Sequence, residues 1–371
     1  MSVQVSYKKQ ITFGIICLVI VLIILEAVIV TYDYFTKQCK FMISDVFDNL
    51  DQTQKLQICR DFESLVVTRY PFPEMKPNQD FPTIHINNVG FRGSDFSPIK
   101  PENTYRIFMI GGSTTFGSAS TSDSTTIPSY LQQKFNNENS EVNIEIINAG
   151  ISGAFSFTEI QLLKNKIFGY EPDLIIVYDG VNDVTEQYPT DNYLFEEKKK
   201  NSFFEEIANL LSNYRTIQVF QKFLLYSNDQ EWNERLIYEL EEYDIDKKAQ
   251  IWKNNWNEIC QISKEKDFEM LITIHPIAGT SDRKLTDFER MKFIQHDGQK
   301  IINYLGAYAL ALEKLDPSCD NVADLRNVFN GIDGPLFYDH VHVSDRGNKI
   351  VAEKLFELTK QIVFSKIDAS L

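Results

Sequence analysis

The chain has 371 residues, of which 43% are hydrophobic and 24% charged, a composition typical of a folded protein that excludes wholesale disorder. Acidic residues outnumber basic ones by 52 to 37, and the net charge of −15 argues against nucleic-acid binding, because such a field repels phosphate backbones. The five cysteines have no Cys-x-x-Cys spacing, which excludes a zinc ribbon or a thioredoxin-type site.

The N-terminal region predicts a membrane anchor. Residues 11–30 form an apolar run in which Glu26 is the one charged side chain. A helix of that length spans about 30 Å, the thickness of the hydrocarbon core of a bilayer. We therefore predict an N-terminal tail over residues 1–10 and a single transmembrane helix over residues 11–32, with a buried core helix as the alternative.

The orientation of this anchor is not decided by charge, because two lysines precede the apolar run and two follow it closely. The short tail favours a cytosolic N-terminus and export of the rest of the chain. Four cysteines lie beyond the run, and both disulfides and buried thiols are open interpretations of them. They are Cys39, Cys59, Cys260 and Cys319. We predict that the main domain lies on the extracytoplasmic side.

Residues 33–80 are mixed and polar, and their prolines predict a juxtamembrane connector that is not one continuous helix. The main domain is predicted over residues 81–366, where short apolar runs alternate with helical patterns. The predicted strands are residues 106–110, 143–147, 173–177 and 270–274, and the predicted helices 126–135, 157–167 and 348–362. This alternation predicts an α/β domain with a parallel sheet and helices on both faces.

A charged and aromatic stretch over residues 184–268 interrupts that rhythm and predicts a helical insertion. Its candidate helices are residues 203–211, 216–225 and 232–264. A solvated surface excursion and a role in gripping substrate are both open interpretations.

A serine follows the first predicted strand, in Gly111-Gly-Ser113-Thr-Thr-Phe-Gly117. Parallel α/β sheets bind ligands beyond the carboxyl ends of their strands, and a serine placed there is a candidate nucleophile if a base activates it. The alternative is a helix N-cap, a common role of serine.

Two further segments supply candidate hydrogen-bond donors. Gly153 ends the turn after the second strand, and Asn182 follows the third. A backbone N–H and a side-chain amide at these places are able to stabilise a developing oxyanion. The alternatives are an ordinary turn at Gly153 and a helix cap at Asn182.

Near the C-terminus, Asp339 precedes His342 by three residues. On one turn the carboxylate can orient the imidazole, which then acts as a general base. The alternative is a metal pair of His340 and His342, with Asp339, Asp345 or His275 as the third ligand.

Together these four segments resemble the blocks of the SGNH (GDSL-like) hydrolase superfamily, in the same order. Ser113, Gly153 and Asn182 match the first three blocks, and Asp339 with His342 matches the last. The resemblance covers about residues 84–362, including the upstream Asn88-Val-Gly-Phe-Arg-Gly93. Two departures are that Gly112 replaces the aspartate of Gly-Asp-Ser, and that the insertion after Asn182 is long.

The resemblance implies a flavodoxin-like three-layer α/β/α fold and a serine esterase that needs no metal or cofactor. Ser113 would be the nucleophile, His342 the base and Asp339 its orienting carboxylate, with an oxyanion hole formed by Ser113, Gly153 and Asn182. The expected partner is an ester-bearing glycan or lipid. The alternatives are an O-acyltransferase acting on surface polysaccharide, and a binding or assembly module that has lost turnover.

Overall fold

The computed structural model describes residues 6–36, 40–68, 73–138, 141–185 and 245–370. The predicted helices at 203–211 and 216–225, with most of the insertion, lie outside these residues. Helix α1, Tyr7–Thr36, contains the predicted membrane segment and is long and apolar enough to cross a bilayer, with a mean hydropathy of 3.2 over its most apolar window. None of its apolar window is buried, so the alternative of a buried core helix is wrong.

The region predicted as a connector contains regular structure. Two short 3₁₀ helices, Lys40–Ile43 and Asp45–Phe47, precede helix α2, Gln52–Ser64. Asp51 caps α2 by accepting a hydrogen bond from the N–H of Gln54, whose own side chain accepts one from Asp51. Two short antiparallel pairs follow: β1, Val67–Thr68, with β2, Glu74–Met75, and β3, Gln79–Asp80, with β4, His85–Ile86.

Five parallel strands form the central sheet, in the order β6-β5-β7-β8-β9. They are β5, Thr104–Gly111; β6, Asn143–Gly150; β7, Leu174–Asp179; β8, Glu269–Ile274; and β9, Asn321–Asp324. The first strand therefore lies between the second and the third, which is the flavodoxin-like order. The predicted fold class is confirmed, and β9 is a strand that the sequence pattern did not indicate.

Helices cover both faces of this sheet. They are α3, Ser113–Phe116; α4, Ile127–Asn136; α5, Ser156–Asn165; α6, Val181–Thr185; α7, Ile245–Lys266; α8, Asp287–Gln295; α9, Gly298–Leu312; and α10, Asp345–Ser370. One core joins the sheet to α5, α7 and α9, and a second core, on the other face, joins it to α4 and α10. The side chains of a strand alternate between these two cores, as a sheet covered on both faces requires.

A disulfide joins Cys260 on α7 to Cys319, which lies just before β9. Cys59 on α2 is also disulfide-bonded. Of the two interpretations of these cysteines, the structure therefore favours disulfides over buried thiols.

Candidate active site

Ser113, His342 and Asp339 form a continuous chain of hydrogen bonds. The Oγ atom of Ser113 lies 2.6 Å from Nε2 of His342, and Nδ1 of the same ring lies 2.7 Å from Oδ2 of Asp339. Ser113 lies in the first turn after β5, whereas Asp339 and His342 lie in the loop before α10. His342 follows Ser113 by 229 residues in the chain. The structure thus brings together three side chains that the sequence singled out separately.

The Asp339 carboxylate is itself held in place by backbone hydrogen bonds. Its Oδ1 atom accepts hydrogen bonds from the backbone N–H groups of Val341, at 2.8 Å, and His342, at 2.7 Å. Burial raises the pKa of Asp339, but the nearby His342 and these hydrogen bonds outweigh burial and hold that pKa well below its ordinary value. The group is therefore a carboxylate at neutral pH.

The pKa of the His342 imidazole is shifted in the opposite direction, upward. Burial lowers its pKa, but the charge of Asp339 and its hydrogen bond raise it by more, so the pKa lies above its ordinary value. A carboxylate at Nδ1 favours the tautomer that carries its proton there, which leaves Nε2 free to accept the proton of Ser113.

The turn that carries Ser113 is held from behind by Arg92, part of the upstream motif. Its guanidinium is buried and donates hydrogen bonds to the backbone carbonyls of Phe116 and Gly117, at 3.1 and 2.7 Å. It also donates to Asp123, at 2.7 Å. These bonds satisfy carbonyl groups at the end of helix α3 that have no partner within so short a helix.

Gly112 allows the Asn182 side chain to approach the turn that carries Ser113 closely. A Cβ atom at residue 112 would lie 2.5 Å from Nδ2 of Asn182 and 3.2 Å from the carbonyl oxygen of Ala154. Nδ2 of Asn182 donates a hydrogen bond to that same carbonyl, at 2.7 Å. Gly112, which stands where the family pattern has aspartate, therefore leaves the space beside Ser113 that the Asn182 amide occupies.

We expect Gly112→Ala to lower kcat by about 10²-fold, the effect of losing one oxyanion donor, because the added methyl group must displace the Asn182 amide. Ester hydrolysis and the melting temperature of the full chain measure this. Gly169→Ala is the matched control, because a Cβ there meets no atom within 4 Å, and it should retain wild-type kcat. A wild-type kcat in folded Gly112→Ala would contradict the expectation.

Gly153 lies beside Ala154 on the loop after β6. Its φ of +79° is in the left-handed region, where a side chain is strained, and a Cβ there would meet no atom within 4 Å. The next residue of this loop, Ala154, accepts the hydrogen bond from the Asn182 amide, so the loop lies close to Gly112 and Asn182. Ser113 begins helix α3, so its N–H is among those that a helix leaves without an intrahelical partner.

Of the three histidines considered as metal ligands, His342 and His275 have hydrogen-bond partners, whereas Nδ1 of His340 is buried without one among the described residues. Both nitrogens of His342 are engaged, as described above. Nε2 of His275 accepts a hydrogen bond from the N–H of Val181, at 3.3 Å, and burial lowers the pKa of His275 to about 4. The ring of His340 stacks on that of His296, with centroids 4.1 Å apart. Among the described residues, no group of three or more His, Cys, Asp or Glu side chains is arranged to hold a metal.

Three buried carboxyl groups lie behind the segments that carry Gly153 and Asn182. Asp183 accepts hydrogen bonds from the N–H and the hydroxyl of Ser156, and Asp179 accepts one from the indole of Trp252, at 2.9 Å. Glu159 is 1% exposed, and its oxygens have no hydrogen-bond partner within the part of the chain that the structure describes. Burial, and then the neighbouring carboxyls, raise the pKa values of Glu159 and Asp179 well above their ordinary values.

The parallel five-stranded sheet, with helices on both faces, has the fold of the SGNH class of hydrolases. The chain belongs to the GDSL-like lipase/acylhydrolase family, whose model matches residues 107–355, more than half of its length. It is therefore an ester-hydrolysing enzyme, as the sequence motifs predict.

Several solved structures resemble the chain at low sequence identity. The acetyl xylan esterase AlAXEase is 15% identical, with a TM-score of 0.39, over 68% of this chain and 98% of that one. Axe2, an acetylxylan esterase from Geobacillus stearothermophilus, is 15% identical, with a TM-score of 0.40, over 68% and 93% of the two chains. TesA is 12% identical, with a TM-score of 0.40, over 69% and 98%. No curated protein matches the chain.

Proposed function

We propose that the protein is a membrane-anchored serine esterase that hydrolyses O-acyl esters of glycans or lipids. The observation that carries this proposal is the hydrogen-bonded chain from Ser113 through His342 to Asp339 at the carboxyl end of the sheet. Family membership supplies the reaction class, and this chain supplies a nucleophile, a base and a group that orients the base.

In the proposed mechanism, Oγ of Ser113 attacks the ester carbonyl while Nε2 of His342 takes its proton. The negative charge that develops on the carbonyl oxygen is stabilised by the N–H groups of Ser113 and Gly153 and by the Asn182 amide. His342 then protonates the departing alcohol, which leaves an acyl group on Ser113. Water attacks this acyl-enzyme with His342 as base, and the acid and the free serine are released.

The test is labelling by a fluorophosphonate probe combined with hydrolysis of short- and long-chain p-nitrophenyl esters. We expect the full chain to be labelled and to hydrolyse at least one ester, and Ser113→Ala to lose both activities because the nucleophile is gone. Preference for acetate favours a deacetylase, and preference for the long chain favours a lipid substrate.

Ser124→Ala is the control, because Ser124 is exposed and its hydroxyl contacts Ser122 rather than the candidate site. It should behave as the wild type. Labelling that persists in Ser113→Ala would contradict the proposed nucleophile. Labelling without hydrolysis of either ester would favour the acyltransferase, which needs its own acceptor.

We also propose that α1 anchors the protein with the main domain on the extracytoplasmic side. The length and apolar character of α1 support the anchor, and the Cys260–Cys319 disulfide supports an oxidising compartment. A chain that begins at Asp33 should leave the membrane fraction and retain esterase activity, whereas the full chain should sediment with membranes. A shortened chain that still sediments would contradict α1 as the anchor, and digestion of the main domain by a protease that reaches only the cytosolic side of sealed membranes would contradict the orientation.

A further inference from the structure

The ring of Tyr338 contacts both the imidazole of His342 and a side chain of the predicted connector. Its ring is nearly parallel to that of His342, with an angle of 11° between the planes and 5.3 Å between the centroids. It also contacts Phe47, at a centroid distance of 5.6 Å. Tyr338 is 4% exposed, so it is a buried neighbour of the candidate base.

The hydroxyl of Tyr338 connects this ring to the nucleophile segment. It donates a hydrogen bond to the carbonyl of Ser118, at 3.0 Å, and the N–H of Ser118 donates one to the carbonyl of Ser113, also at 3.0 Å. The N–H of Tyr338 donates to the carbonyl of His342, at 3.1 Å. Tyr338 therefore contacts the segments of both the nucleophile and the base, independently of the bond between Ser113 and His342.

Residues 42–59 support Tyr338 from the side of Phe47. A small hydrophobic cluster includes Tyr338 and the following buried side chains: Met42, Phe47, Ile58, Cys59 and Ala119. The hydroxyl of Ser44 donates to the carbonyl of Phe337, at 3.4 Å. Further along α2, Phe62 contacts Phe116 of the nucleophile helix, at a centroid distance of 6.4 Å. This part of the predicted connector thus packs against both segments of the candidate site.

Hydrogen bonds at Nδ1 and Nε2, together with the bond to Cβ, define the orientation of the His342 ring. The ring can rock only by rotation about its side-chain torsions, which the two hydrogen bonds resist while both are present. A parallel aromatic ring opposes that rocking, because tilting the imidazole would break the contact between the two faces. The restraint matters most when Nε2 leaves Ser113 for the departing alcohol, since Asp339 then provides the remaining hydrogen bond.

We propose that Tyr338 is a positioning residue for His342, and that residues 42–59 hold it in place through Phe47. This inference rests on the proposed function, in which His342 is the base. Tyr338 acts through the imidazole and has no part in bond making. The region between the anchor and the α/β domain is then a support of the catalytic loop as well as a link.

The proposal predicts an electrostatic signature as well as a loss of rate. The face of an aromatic ring attracts a cation, so Tyr338 stabilises the imidazolium form of His342. Removal of the ring should lower the apparent pKa of the acidic limb of kcat by about 0.5. The other titratable groups that influence His342 are Asp339, His275 and His340, and all three are retained in the variants below.

The experiment measures kcat, KM and the pH profile of the full chain in detergent, with a p-nitrophenyl ester. Tyr338→Leu should lower kcat by about 10- to 100-fold with little change in KM, because a misaligned base slows chemistry without weakening binding. Its acidic limb should move to lower pH. Tyr338→Phe keeps the ring and loses the hydroxyl, so it should keep the wild-type pKa and lose less of kcat. A folded Tyr338→Leu with wild-type kcat and pH profile would overturn the proposal.

Two more variants separate positioning from stability. Tyr105→Leu is the control, because it makes the same substitution at another buried tyrosine. Tyr105 lies at the start of β5, at the end of the strand far from Ser113. Tyr105→Leu should therefore lower the melting temperature and leave the pH profile unchanged. Phe47→Leu leaves the loop sequence intact and should move kcat and the pKa in the direction of Tyr338→Leu, by a smaller amount. Unchanged values in Phe47→Leu would overturn the role of residues 42–59.

Ser113→Ala distinguishes this inference from the proposed function. Loss of turnover in Ser113→Ala together with wild-type behaviour of Tyr338→Leu would refute the positioning role alone. Full turnover in Ser113→Ala would refute the proposed catalytic serine, and the inference with it.

Discussion

Asp339→Asn should lower kcat by about 10⁴-fold, the effect of giving a catalytic imidazole the wrong tautomer. The carboxylate holds the proton at Nδ1 of His342, 2.7 Å away. An asparagine amide that donates to Nδ1 instead would leave the proton on Nε2, which then cannot accept one from Ser113. The measurement is ester hydrolysis at pH 8, with a melting curve to establish that the variant folds.

The same substitution should change the pH profile. In the wild type the base must be neutral, so activity should rise with pH through an apparent pKa above 6.5, because Asp339 more than offsets the effect of burial on His342. Any residual activity of Asp339→Asn should have a lower apparent pKa. Asp333→Asn, at an exposed position of the same loop, is the control and should retain the wild-type rate and profile. A flat wild-type profile from pH 5 to 8 would contradict His342 as the base.

Asn182→Ala should lower kcat by about 10²- to 10³-fold and leave KM nearly unchanged, because in the proposed mechanism its amide stabilises charge that is present in the transition state and absent from the bound ester. The side chain lies against Gly112, next to Ser113, and its bond to Ala154 fixes the direction of the amide. Ser113 and His342 are intact in this variant, so slow labelling by a fluorophosphonate should remain.

Thr185→Ala is the matched control on the same short helix, because its hydroxyl bonds to carbonyl groups of α6 at an exposed position. It should show wild-type kcat. If Asn182→Ala raised KM and left kcat unchanged, the amide would bind the substrate in its ground state, and its assignment to the oxyanion hole would be wrong.

The buried strands of the sheet could be predicted because their sequences are continuous apolar runs. The structure has Thr104–Gly111 where residues 106–110 were predicted, and Leu174–Asp179 where residues 173–177 were predicted. Strand β9, Asn321–Asp324, escaped prediction because it is a short edge strand with half of its side chains exposed. Such a segment carries no apolar run to mark it.

The candidate site was predictable as a set of residues and not as a set of contacts. Each motif follows a strand or precedes a helix, so its position at one edge of the sheet follows from the topology. The packing of Tyr338 on His342, and of Asn182 on Gly112, depends on how distant loops meet, and no local pattern encodes it. Arg92 was part of a motif noted in the sequence, but its bonds to the carbonyls of α3 could be seen only in the fold.

The contacts of the predicted connector, like those of the candidate site, could not be predicted from local sequence patterns. Its prolines correctly exclude one long helix, and the Asp51–Gln54 capping box is visible in the sequence as a helix start. Nothing local indicates that Phe47 meets a residue almost 300 positions later, because that contact is made by tertiary packing.

Glu159 and Asp179, near the segments that carry Gly153 and Asn182, make the stability of the fold depend on pH in the direction opposite to turnover. Glu159 and Asp179 keep their protons in the folded state to higher pH than in the unfolded chain, and so does His342, because all three pKa values are raised. Through these three groups the folded state binds more protons than the unfolded one, and each of them lowers stability by up to about 1.4 kcal/mol per pH unit as the pH rises from its ordinary pKa to its raised one. His275, His340 and Asp339, whose pKa values are lowered, act in the opposite direction, but only at pH values below the ordinary imidazole pKa of about 6.5. Catalysis improves over the range in which His342 loses its proton, so the pH of fastest turnover should lie above the pH of greatest stability.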